Sequence, residues 1–95
     1  MISMLEWLQN WYKSQCDGDW EHEYGIKIDT VDNPGWYLTI NLTGTNLETK
    51  KFTPIEKDDG ENNWYFCLVK NGNFEASCDS CNLTTVLSIF RRWAE

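Results

Sequence analysis

The sequence predicts an α+β domain in which an antiparallel sheet of about five strands, a meander, carries an N-terminal and a C-terminal helix packed on one face. Three observations point there. Apolar residues recur at three- and four-residue spacing near both ends, they alternate with polar residues through the middle, and turn chemistry at Asp32-Asn33-Pro34-Gly35 and Asn71-Gly72 separates the alternating runs. With 95 residues there is room for one core, so residues 1–95 form a single domain. Hydrophobic residues at 41 %, with six tryptophans, supply that core and exclude disorder despite a mean hydropathy of -0.57.

The first helix starts at a capping box, Ser3 with Glu6, and runs to about Ser14. Leu5, Leu8, Trp11 and Tyr12 form its apolar stripe, widened by Met4 and Trp7. From Asp19 to Thr30 the period changes to two. Trp20, His22, Tyr24, Ile26 and Ile28 fall on one parity and Asp19, Glu21, Glu23, Lys27 and Asp29 on the other, which predicts a strand with one dry and one acidic side. After the Pro-Gly turn, Trp36, Leu38, Ile40 and Leu42 point inward, and Tyr37, Thr39, Asn41 and Thr43 outward, completing a hairpin. Leu47 to Phe52 reads as a third strand at an edge, and Thr53 to Asn63 as a polar loop. Asn63 to Lys70 is a strand with Trp64, Phe66 and Leu68 on one side, and Asn71-Gly72 turns it back into Phe74 to Ser77. Asp79, Ser80 or Asn82 caps a closing helix whose buried stripe is Leu83, Val86, Leu87, Phe90 and Trp93, with Arg91 and Arg92 favoured at its C-terminal dipole.

Charge is unevenly placed. The net charge is -7, and residues 1–48 hold eight acidic against two basic side chains. Asp17, Asp19, Glu21, Glu23, Asp29 and Asp32 crowd one stretch with only Lys27 among them. Such a field repels nucleic acid and attracts a basic protein. With both helices on one side of the sheet, the other side stays open, and these six carboxylates with Tyr37 and Tyr65 are the candidate partner-binding residues. No apolar run is long enough to span a membrane. The opening MISMLEWLQNWYKSQ has neither a basic start nor a small-residue cleavage site, so the expected location is the cytoplasm.

Residues that carry chemistry elsewhere are sparse here. Cys78-Asp79-Ser80-Cys81 is a C-x-x-C, but Cys16 and Cys67 stand alone, so a zinc or redox module built on Cys78 and Cys81 is the alternative function, and reduced, incidental cysteines are the favoured reading. Cys67 lies inside a strand as an apolar filler. His22 is the only histidine and sits on the core parity, turned away from Glu21 and Glu23, so no acid-base pair assembles. Asp17-Gly18-Asp19 lacks the further oxygen ligands of a calcium loop. The expectation is a binding protein with no catalytic site, no cofactor and no bound metal.

Several stretches resemble a known family: LQNWYKSQCDGDWEHEYGIKIDTVDNPGW, the LTINLTGT strand, the NNWYFCLVKNGNFEA hairpin and the closing NLTTVLSIFRRWA. The chain is similar over nearly its whole length to immunity protein 53, a family of small bacterial proteins encoded beside polymorphic toxins. The matching motif covers Cys16 to Glu21, His22, Tyr24, Gly25 and Asp32 to Trp36. The resemblance implies that the partner is a cognate protein toxin, such as one with a nuclease effector domain, and that binding neutralises it.

Overall fold

A computed structural model describes residues 3–95. In chain order the elements are helix α1 (Met4–Gln15), a single helical turn α2 (Trp20–Glu23), strands β1 (Ile26–Val31), β2 (Gly35–Asn41), β3 (Ile55–Asp58), β4 (Trp64–Lys70) and β5 (Asn73–Asp79), and helix α3 (Leu83–Ala94). The five strands form one antiparallel sheet in the order β1-β2-β5-β4-β3. This differs from a single meander. A β1–β2 hairpin and a β3–β4–β5 meander are joined through β2 and β5, so the chain between β2 and β3 crosses to the far edge of the sheet.

Directly paired residues share a face, so the register sorts the side chains into two sets. One face carries Ile26 and Ile28, Trp36, Leu38 and Ile40, Phe74, Ala76 and Cys78, and Tyr65, Cys67 and Val69. Both long helices lie here. α1 buries Leu8 and leans Met4, Trp7 and Trp11 against the core, and α3 buries Val86, Leu87 and Phe90 with Leu83 and Trp93 beside them. Phe90 is the hub: its ring lies 5.1 Å from Phe74, 5.1 Å from Trp11 and 5.9 Å from Trp7. The α3 stripe is the one predicted. The α1 stripe is rotated, because Met4, Trp7, Leu8 and Trp11 share a line, which leaves Leu5 60 % and Tyr12 38 % exposed at its margin.

The segment predicted as a third strand, Leu47 to Phe52, is part of the crossover. Leu42 and Leu47 are buried plugs and Phe52 packs on Phe74 and Trp93 at 5.4 Å each. The Trp93 indole N–H donates to the Lys51 carbonyl at 2.7 Å, which straps this segment beneath α3. The real β3 falls within the predicted polar loop, because Ile55–Asp58 is an exposed edge strand with no dry face to produce alternation. At the β4–β5 turn Asn71 (φ 54°) and Gly72 (φ 80°) both adopt positive φ, the geometry that Asn-Gly supplies in a two-residue hairpin. Ser3 accepts from the Glu6 N–H at 3.1 Å, as the capping box requires.

Asp79 fastens the sheet to α3. Only 2 % exposed, its carboxylate accepts from the Trp64 N–H at 2.8 Å, from the Cys81 N–H at 2.7 Å and from the Asn82 side-chain amide. Burial alone pushes this carboxyl up, and the hydrogen bonds from Trp64, Cys81 and Asn82 outweigh it, so its pKa is held below the usual carboxylate value. Asn82 is the helix N-cap residue, and its own side chain is turned to Asp79 and Thr85.

All four cysteines are free, and they occupy different environments. Cys67 and Cys78 are fully buried on the helix-covered face; burial, and then each one's acidic or thiol neighbour, pushes their thiols up to about 12 and about 11. Cys81 is exposed, and Cys16 is half-buried with its thiol donating to the Tyr12 carbonyl at 3.3 Å.

Two measurements check this fold. A group whose folded pKa is depressed contributes stability above its unfolded value and loses it as pH falls through the folded one. The melting temperature should therefore hold steady down to about pH 4 and fall below it. Asp79→Asn should melt lower at neutral pH and decline less steeply in acid; equal acid sensitivity of variant and wild type would discount Asp79. With a thiol-reactive disulfide reagent, Cys81 should react fastest in the folded protein and Cys16 more slowly, with Cys67 and Cys78 reacting only after denaturation. Fast labelling of all four in the native state would contradict the packing described.

Candidate functional site

The second sheet face is covered by neither long helix. The register lays its side chains out in rows. Glu56, Phe66, Ser77, Tyr37 and Asp29 run across the sheet from β3 to β1, and Leu68, Glu75, Thr39 and Lys27 form the next row. Asp58 and Trp64 pair at one end, near the β1–β2 turn, and Lys70 pairs with Asn73 at the other. Tyr37 is 38 % exposed, and its hydroxyl donates to Glu75 at 2.9 Å. That hydrogen bond, followed by partial burial and the charge of Glu75, raises the phenol above its ordinary value.

The eight residues singled out from the sequence do not form one patch. Asp29 and Tyr37 are on the open face in adjacent strands, paired with each other, and Asp32 is exposed in the turn at its end. Tyr65 is on the opposite face, half-buried against the core beneath the helices. The strand predicted to begin at Asp19 begins only at Ile26, and residues 20–23 are helical, so the expected acidic strand face is confined to Lys27 and Asp29.

Local hydrogen bonds explain the helical turn. Asp17 accepts from the N–H groups of Asp19 and Trp20 at 2.9 Å each, and Glu21 reaches back to accept from Asp17 at 3.0 Å and Gly18 at 2.9 Å. Both carboxyls are lowered, Asp17 by the bonds from Trp20 and then Asp19, Glu21 by its own backbone N–H and by Asp17 and Gly18. Trp20 is thereby driven into the protein, 5 % exposed, with its indole N–H donating to the Thr43 carbonyl at 2.9 Å. Asp17 and Glu21 thus shape the backbone, and Asp19 and Glu23 remain exposed. His22 is exposed as well, contrary to its predicted core position, because a helical turn places it away from the dry side that alternation implied. At about 3.3 Å per residue, β1 sets this acidic turn roughly 20 Å from Asp32.

Sequence reading missed the apolar half of the open face. Trp64, Phe66 and Leu68 point to it, because Tyr65, Cys67 and Val69 take the helix-covered side. β4 is apolar on both parities, so alternation alone could not orient it. Glu56 and Asp58 were missed with β3 itself. Together Glu56, Asp58, Trp64 and Phe66 line a groove of about 740 Å³, closed at one end by Asn33 and Pro34 of the β1–β2 turn. A second groove of about 910 Å³ runs along the margin of α1, lined by Leu5, Tyr12, His22, Glu23 and Ile26.

Neither groove gathers the ligands of a metal site. Among the described residues, no three or more His, Cys, Asp and Glu side chains come together to hold an ion. Cys78 is buried and Cys81 exposed, so the two thiols that the alternative function would use face different environments.

No helix among the described residues is long and apolar enough to cross a membrane. Comparison with curated proteins and with solved structures finds no match. The family profile described as Immunity protein 53 does match, from residue 5 to residue 95, and so takes in α1 from its second residue, α2, α3, all five strands and the open face they frame. By that match over nearly its whole length, this chain belongs to the immunity protein 53 family.

Proposed function

We propose that this chain binds and neutralises a cognate protein toxin, and that it does so by laying an acidic surface over a basic effector site. Membership of an immunity family supports the role, and the open sheet face supports the place. Catalysis has no part in it: occlusion needs only an interface that forms quickly and holds.

The observation that carries the mode of binding is the row that joins Asp29, Tyr37 and Phe66 across the uncovered face, with Asp32 at its rim. Aromatic side chains give contact area at low entropic cost, and exposed carboxylates give complementarity to lysine and arginine. A basic cleft of the kind that holds phosphate, as in a nuclease, is the matching surface. The net charge of -7 would draw such a cleft from a distance, with Asp19 and Glu23 adding to the field from the far end of the sheet.

The test is association of the purified protein with the toxin encoded beside it. Replacing Asp29 and Asp32 with Asn should slow association on the order of tenfold at low salt and flatten its salt dependence, with no change in melting temperature. An unchanged on-rate across the salt series would take these charges out of the mechanism.

A further inference from the structure

The β3–β4 groove has a composition that solubility alone does not explain. Wet sheet faces keep charge and shed aromatic surface, yet here Trp64 and Phe66 stand half-buried on the side no helix covers. The register sets a carboxylate beside each of them: Glu56 is paired with Phe66, and Asp58 with Trp64. Glu61, from the loop between the two strands, adds a third acid to the lining.

Among the described residues these acids have no cationic partner. Lys57 is the one basic residue among those lining the groove; it is paired with Tyr65 of the other face, and its ammonium is engaged with Asp59 at 3.4 Å. Glu56 and Glu61 make no side-chain hydrogen bond or ion pair among the described residues, and Asp58 accepts only from the Gly60 N–H, at 3.3 Å. β3 is an edge strand with all four residues exposed, so the groove is open along one side to an extended chain.

A lining that sets aromatic rings beside forked carboxylate acceptors matches a guanidinium better than an ammonium. The planar ion can stack on the indole face and offer paired N–H donors to a carboxylate, whereas an ammonium acts as a point charge. A second copy of this chain would bring like charge to like, and nucleic acid would bring phosphate to carboxylate. We propose that the groove between β3 and the Trp64 and Phe66 side of β4 receives an arginine from an extended basic segment of the toxin, with the guanidinium on Trp64 and held by Glu56 and Asp58. Because the occupant is the toxin, this assignment rests on the neutralising role proposed above.

The experiment uses the intact protein and the catalytically inactivated toxin encoded beside it. Glu56→Gln with Asp58→Asn keeps shape and removes charge, and is expected to weaken binding by about 30-fold. Trp64→Leu keeps an apolar side chain and removes the π face, and is expected to weaken it by about fivefold. Lys13→Gln, in α1 on the covered side of the sheet, should leave binding unchanged, and a loss there equal to that of the groove variants would overturn the site. Near-ultraviolet circular dichroism confirms the folded state of each variant, and Trp64→Leu decides should the double variant be misfolded. Toxin bound with wild-type affinity by the groove variants overturns this site and leaves the immunity role standing. A wild-type protein that captures no toxin overturns that role, and the groove assignment with it.

Discussion

The structure depends on the aromatic contact between Phe74 at the centre of the sheet and Phe90 in α3. Through Phe90 the cluster reaches Trp7 and Trp11 of α1, and through Phe74 and Trp93 it reaches Phe52 of the crossover, so one contiguous packing unit gathers both helices and the longest connection. Aromatic pairs at such separations add about 0.5–1.5 kcal/mol each beyond the area they bury. Their combined effect is to commit every covering element to one face. The other is left open by default, and the same packing that stabilises the domain thereby leaves free the surface on which we propose it binds.

Much of this was legible in the sequence, and the parts that were not have definite causes. The α3 stripe, the β1–β2 hairpin beyond Ile26 and the Asn71-Gly72 turn carry unambiguous periodicity or turn chemistry. Residues 19–24 carry a false period. Trp20, His22 and Tyr24 alternate with acids as a strand would, but Asp17 and Glu21 capture backbone N–H groups and wind the segment into a turn. Periodicity measures side-chain placement and is blind to such local bonds. β3 has no buried side, so it read as loop. β4 has two apolar sides, so its orientation was set by its neighbours in the sheet rather than by its own pattern.

The candidate site suffered from the same causes. A ridge of six carboxylates resolves into an acidic turn at one end of the sheet and the pair Asp29 and Asp32 towards the other. Within the first group, Asp17 and Glu21 hold the chain in shape, so their charge is already engaged in local structure. Tyr65 proved to pack on the helix-covered face and Trp64 to lie on the open one, although they are adjacent in sequence and equally half-buried. The acids set beside the half-buried aromatics of the open face come from β3, in the half of the chain whose nearly balanced composition drew no attention to it.

The pairing of β2 with β5 has a consequence for how the protein comes into being. Its partners are far apart in sequence, from Asn41 with Asn73 to Gly35 with Asp79, and it is the junction that unites the two halves of the sheet. Non-local pairings of this kind carry a large loop-closure cost and slow folding relative to helical proteins of similar length. The hairpin alone has too little to bury, so the nascent chain gains a stable core only when β5 and then α3 have left the ribosome. A folded domain therefore appears only after α3 has been made, and a translation pause upstream of residue 79 would delay it in full.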